Sequence, residues 1–271
     1  MLFRSATALA TAAAPVPFVR VSPDRKTLAL AEADGKITLI DLATGKVAKQ
    51  LAGHAGAVNA VAFHANSAKI ASAGADKSVR LWDIASGQAV VITKDIPNPV
   101  TAVAWNAAGT QVAAGFSDGG IALFKADVAD PPLEKALAGN TQAITGLAYA
   151  PGGEAVYSSA ADGNIRRYQV SDGAQQWAQG HGAAVHDLAL SADGQFLASA
   201  GENNQVKIWQ AANGAGGPKP VLEGFTAPVR SVTFTIDNAK VVSGTANNQL
   251  VVHDAKTGLL EEISEIGRAH V

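Results

Sequence analysis

His186 and Asp187 stand side by side, and a histidine next to a carboxylate is the smallest set that can act as a general base with an orienting partner. Such a base would serve a serine or cysteine nucleophile. The chain has no cysteine, and no serine is expected to serve as a nucleophile in an elbow such as G-x-S-x-G. A lone His-Asp at the opening of a strand is therefore expected to be a surface pair. The run Gly214 to Gly217, GAGG, has the composition of a phosphate-cradling loop but lacks a following helix and a Lys-Ser/Thr pair, so it is expected to be a linker. No group of His, Asp and Glu has metal-ligand spacing, and Trp105 and Trp177 suit packing better than stacking on a base. No catalytic residue, metal or cofactor is expected.

The spacing of the turns organises the chain. Acidic or amide residues in tight turns recur at Asp34, Asp76, Asp118, Asp162, Asn203 and Asn247, at steps of 42, 42, 44, 41 and 44 residues. A period in the low forties, with short strands and Gly-rich turns inside each unit, predicts an all-β fold, a β-propeller of four-stranded blades. The unit from residue 53 to 95 shows the strands most clearly, at Val58 to Phe63, Lys69 to Ala73, Ser78 to Asp83 and Ala89 to Thr93. Turn residues separate them, which predicts an antiparallel meander.

This unit resembles the WD40 repeat: Gly53-His54 begins it and Trp82-Asp83 closes its third strand. The resemblance implies that His54, Ser72, Asp76 and Trp82 hydrogen-bond across the blade. Buried polar groups lose water, and a network repays that only if every member has a partner. The fifth unit carries the same set as His181, Ser199, Asn203 and Trp209. The fourth has Asn140, Ser158, Asp162 and Tyr168; the third keeps Asp118, with Ile96, Ala114 and Phe124 elsewhere. The sixth has Phe225, Ser243, Asn247 and His253, and the first has Asp34 with Leu30 and Ile40. Six full blades are expected at about residues 16–52, 53–95, 96–138, 139–179, 180–223 and 224–261, with Ala211 to Pro220 as a flexible loop and residues 262–271 as a tail.

Both ends look foreign to the repeat. Glu265 to Val271 and Leu2 to Ser5 are each readable as translated short-read sequencing adapters, which suggests a gene fragment. Met1 to Ala14 is a poor secretory signal, because its apolar stretch is Ala and Thr rather than Leu. Aligned by repeat, Ser5 to Ala10 instead falls on the outer strand of a preceding blade, so a seven-bladed ring, the usual number in the family, is implied.

The 271 residues, 48% apolar and 16% charged, can bury a sizeable core. A net charge of −2 gives no argument for a nucleic-acid or membrane surface, and no apolar run approaches the roughly 20 residues that span a bilayer. The compartment stays open. WD40 propellers usually bind through the loops at the narrow top face. Positions just before the turns are Ala33, Ala75, Ser117, Ala161, Glu202 and Ala246, and the positions opening the first strands are Asn59, Thr101, Thr145, His186 and Arg230. His186, Glu202 and Arg230 are the distinctive polar groups, on blades five and six. The expected function is a non-catalytic scaffold binding a protein or peptide there. The alternatives are an accessory lobe of a larger bacterial kinase or c-type cytochrome protein, which the Ala-rich units resemble, and a propeller enzyme.

Overall fold

The computed structural model describes residues 12, 14–92, 96–126 and 133–265. The expectations for Ser5 to Ala10, for Thr93 and for residues 266–271 with His270 lie outside them. The first sheet is β1 (Phe18–Val21), β2 (Thr27–Ala31), β3 (Lys36–Asp41) and β4 (Val47–Ala52); the second is β5 (Val58–Phe63), β6 (Lys69–Gly74), β7 (Val79–Asp83) and β8 (Ala89–Val91). The third is β9 (Val100–Trp105), β10 (Gln111–Phe116), β11 (Ile121–Lys125) and β12 (Leu133–Leu137); the fourth is β13 (Ile144–Tyr149), β14 (Ala155–Ala160), β15 (Asn164–Gln169) and β16 (Gln175–Gly180). The fifth is β17 (Val185–Leu190), β18 (Phe196–Gly201), β19 (Val206–Gln210) and β20 (Gly216–Leu222); the sixth is β21 (Val229–Phe234), β22 (Lys240–Thr245), β23 (Gln249–Asp254) and β24 (Leu260–Glu265). The fold is all-β: six four-stranded antiparallel blades of a β-propeller, each a meander in chain order.

The chain divides into two compact units, Met1–Ala114 with Leu123–Glu134, and Gly115–Ala122 with Lys135–Val271. In the first unit, Ala29, Ala31, Ile37, Leu39 and Leu51 of one blade pack on Val58, Val61, Phe63, Ile70 and Trp82 of the next. Ala29 and Ala31 leave room among Ile37, Leu39 and Leu51 for the large side chains of the next blade. Fully burying each Val, Ile or Phe contributes about 1.5–3 kcal/mol. The second unit repeats the scheme between the fifth and sixth blades, where Ala198, Ala200, Val206 and Ile208 meet Val229, Val232, Val241 and Val251.

In the second blade β6 ends and β7 begins one residue later than expected and β8 ends at Val91, and two outer strands differ more. β20 begins at Gly216, so the second half of the expected loop at Ala211 to Pro220 is strand; Pro218 and Pro220 are tolerated because β20 is the outer strand and its ladder shifts register between Lys207 and Trp209. β24 runs on to Glu265, past the expected end at residue 261, because Ile263 lies opposite Val251 and Leu260 opposite His253.

The recurring turn residue works through its side chain. Asp34, Asp76, Asp118 and Asp162 each accept, through Oδ1, the backbone N–H two residues on. The residue in between turns left-handed: Gly35 at φ 91°, but Lys77 at φ 63° in the second blade. Gly35 has a further reason to lack a side chain, since a Cβ there would lie 2.5 Å from the carbonyl oxygen of His54.

Candidate functional site

In the second blade the turn Asp and the strands converge on a histidine. Trp82 Nε1 donates to Ser72 Oγ at 2.8 Å, Ser72 Oγ lies 2.7 Å from His54 Nε2, and His54 Nδ1 lies 2.9 Å from Asp76 Oδ1. A carboxylate only accepts, so Nδ1 must donate to Asp76, and the bare Nε2 takes the Ser72 hydroxyl proton while Ser72 Oγ accepts from the indole. His54 therefore carries its proton on Nδ1 and gives it to Asp76. Asp76 also accepts from the Ala55 N–H at 2.9 Å and the Ser78 hydroxyl at 2.8 Å. Burial pushes the Asp76 carboxyl up, but the bonds from Ala55, His54 and Ser78 outweigh it and hold the group below the usual carboxylate range. Burial holds His54 below its ordinary value against the pull of Asp76.

The fifth blade builds the same chain with the ring turned over. Trp209 Nε1 donates to Ser199 at 2.8 Å, Ser199 Oγ lies 2.9 Å from His181 Nδ1, and Nε2 lies 3.1 Å from Asn203 Oδ1. Its proton consequently sits on Nε2. Gln205 accepts from Asn203 Nδ2 at 3.0 Å, which fixes the amide so that its oxygen faces the ring. With a neutral amide where the other blade has a carboxylate, burial and then the charge of Lys207 lower His181 to about 4. Both rings occupy a slot opened by a glycine: a Cβ on Gly74 or Gly201 would run into the imidazole. The first blade has Glu32 at that position, buried and with both carboxylate oxygens unpartnered among the described residues.

The fourth blade replaces the histidine by an arginine bridge. Arg166 donates to Asn140 Oδ1 at 2.8 Å and pairs with Asp162 at 2.9 Å, while Asn140 Nδ2 donates to Tyr168 at 3.0 Å and Ser158 donates to Asn140 Oδ1 at 3.2 Å. Burial raises Asp162, but Arg166 and two backbone N–H groups outweigh it and leave the carboxyl lowered. In the sixth blade no such chain forms. His253 donates from Nε2 to the Glu223 carbonyl at 2.8 Å and packs on Phe225, leaving buried Ser243 Oγ and His253 Nδ1 unpaired among the described residues.

His186, Glu202 and Arg230 meet at one end of the fifth and sixth sheets. Val185 on β17 pairs with Gly201 on β18, so His186 and Glu202 lie at the same sheet end, and Arg230 opens β21 of the next blade. His186 Nε2 is 2.5 Å from Glu202 Oε2, and Arg230 Nη1 is 3.0 Å from that oxygen. Glu202 and Arg230 are each 48% exposed and His186 23% exposed, so the cluster faces solvent. Asp187 has partners of its own. Its carboxylate turns the other way, accepting from Leu188 N–H at 2.8 Å and Val232 N–H at 2.9 Å, and so ties the fifth blade to the sixth. The ladder shifts register between Val185 and Asp187, which makes His186 the bulged residue. Two other strand-opening polar groups bond to the protein: Asn59 donates to the Val100 carbonyl at 2.8 Å, and Thr145 bonds to Ser159 at 2.9 Å.

A family description, WD domain, G-beta repeat, matches residues 45–83, 91–125, 132–169 and 175–210, more than half of the chain. The chain belongs to the WD40-repeat family. No curated protein sequence matches it significantly. Each matched stretch is offset from a blade. Residues 45–83 span β4 to β7, so one WD40 repeat carries the outer strand of one blade and three strands of the next. WD40 domains are generally protein-interaction scaffolds. Within this WD40 chain the polar groups do structural work in three blades. Arg166, Ser78 and Gln205 were not legible as members, although their places two or four residues after the turn Asp or Asn are a usable signal. One string, Gly115-Phe116-Ser117-Asp118-Gly119, has G-x-S-x-G spacing, but it joins strand β10 to strand β11 instead of a strand to a helix. His64 packs edge-on against Trp105 at 5.0 Å and accepts the Asn66 N–H at 3.1 Å, a turn-stabilising position.

Proposed function

We propose that this WD40 chain is a non-catalytic scaffold that binds a protein or peptide partner through the sheet end where His186, Glu202 and Arg230 meet. The observation that supports the reading is the contrast at one structural position. Four of the six residues before the turns are alanine, whereas Glu202 projects a carboxylate into a cluster with a cation from the next blade. A surface that combines exposed charges with a bland surround discriminates partners by electrostatic complementarity more than by area. Photo-crosslinking distinguishes this sector from the others. A photoreactive amino acid at position 202, compared with positions 33 and 75, should give discrete protein adducts in a cell extract only at 202, and Arg230→Ala should remove them. Adducts of equal yield at all three positions, or adducts insensitive to Arg230→Ala, refute the assignment.

A further inference from the structure

The cluster holds a conflict at a single atom. His186 Nε2 lies 2.5 Å from Glu202 Oε2 and 2.7 Å from Arg230 Nη1. A carboxylate only accepts and a guanidinium only donates, so Nε2 must carry a proton to serve Glu202 and a bare lone pair to serve Arg230. It cannot do both at once. With the ring neutral and its proton on Nε2, Glu202 accepts that proton, the bare Nδ1 lies 3.4 Å from Arg230 Nη1 as an acceptor, and Glu202 takes Arg230 at 3.0 Å, so the guanidinium is held by two acceptors. With the ring protonated, Nδ1 becomes a second donor, so Arg230 loses that acceptor and faces a like charge. The cluster then passes from zero net charge to one positive charge.

We propose that His186 is a proton-controlled latch on Arg230, and that the open latch presents Arg230 to an acidic group of the partner. This rests on the partner surface proposed above and assigns its chemistry and control. Glu202 is held below the usual carboxylate range by its hydrogen bond to His186 and, after the smaller opposing effect of desolvation, by Arg230, so it stays an acceptor throughout. On its own strand His186 has Asp187, committed to Leu188 and Val232. From the sixth blade it faces Arg230, and His181 in the preceding turn is near enough to feel its charge. The fourth blade packs β13, ITGLAY, and β14, AVYSSA, against β17, and neither strand has a charged residue. Histidine is the side chain that ordinarily changes charge between about pH 5 and 8.

The test is a titration of the ¹⁵N-labelled full chain from pH 8 to 5, following the ring nitrogens of His186 and the Nε–Hε signal of Arg230. A latch moves the Arg230 signal in one step, with the midpoint of the His186 ring, and His186→Gln abolishes that step. An Arg230 signal that is flat through the His186 titration overturns the latch, as does a step that survives in H186Q. Binding of a hexaglutamate peptide, the probe for an acidic partner, should strengthen by about 5-fold or more below the midpoint in the native chain and lose this pH dependence in H186Q. An Arg230 step without pH-dependent peptide binding overturns the acidic-partner assignment. Failure of position-202 crosslinking instead refutes the partner surface and leaves the nitrogen titration unaffected, so the two readings fail separately.

Discussion

Removing the Asp76 carboxylate is the most informative single change. In Asp76→Ala the Nδ1–H of His54, whose side chain is fully buried, loses its acceptor. One orphaned buried donor costs about 1–3 kcal/mol. Ser78 Oγ already lies 3.2 Å from His54 Nδ1 and becomes the available acceptor once Asp76 no longer engages it, which puts the single variant near 1 kcal/mol. The double variant Asp76→Ala/Ser78→Ala removes that rescue and should approach about 3 kcal/mol. Asp76→Asn keeps an oxygen opposite the ring, as Asn203 does for His181, and should cost less than either. Urea unfolding followed by tryptophan fluorescence reads these as midpoint shifts of roughly 0.3 to 1 M, for a slope of about 3 kcal/mol/M. An unchanged midpoint in Asp76→Ala, or Asp76→Asn as damaging as the double variant, would refute the chain of donors and acceptors.

Three further expectations concern the fifth, fourth and second blades. His181 titrates near 4 in the folded chain against an ordinary 6.5, so its contribution is complete above 6.5 and is lost as the pH falls. Between pH 6.5 and 5, above the carboxylate range, this removes about 1.5–2 kcal/mol, and the slope of the unfolding midpoint with pH should flatten in His181→Gln. Arg166→Met leaves the buried Asp162 carboxylate without its cation and should cost about 3 kcal/mol by urea unfolding, part of it recovered by adding Asp162→Asn. A loss below about 0.5 kcal/mol would show that the pair is solvated. Lys77→Gly relieves a left-handed residue at φ 63° and should raise stability by about 0.5 kcal/mol, the strain removed less the entropy that glycine adds. A lower thermal midpoint in that variant would count against the strain.

Period and strand pattern made the blades legible, because a 42-residue step between turn residues admits few other folds and each apolar run alternates between two packed faces. The histidine chains were legible because a His, a Ser, an Asp or Asn and a Trp recur at fixed offsets. Their variants were not. Nothing at Arg166 announces that a guanidinium can take the place of an imidazole, since that depends on Asn140 and Asp162 lying close enough in space to share it. The outer strands were the least legible elements. β20 and β24 pair on one side only, so Pro218, Pro220 and a run of glutamates are tolerated where an inner strand would exclude them. His186 and Asp187 show a different limit: adjacent residues on a strand point to opposite faces, and sequence proximity concealed that each has its partner on another strand.

The overturned ring of His181 has a spectroscopic consequence. His54 keeps its hydrogen on Nδ1 and His181 on Nε2, so the two buried imidazoles are opposite tautomers, one facing the Asp76 carboxylate and the other the Asn203 amide. Opposite tautomers give mirror-image patterns of protonated and bare ring nitrogens. One lies in each compact unit, Met1–Ala114 with Leu123–Glu134 and Gly115–Ala122 with Lys135–Val271. The protein thus carries a native pair of isotopic beacons, and the solvent exchange of each ring hydrogen would time the breathing of its own half without any attached probe.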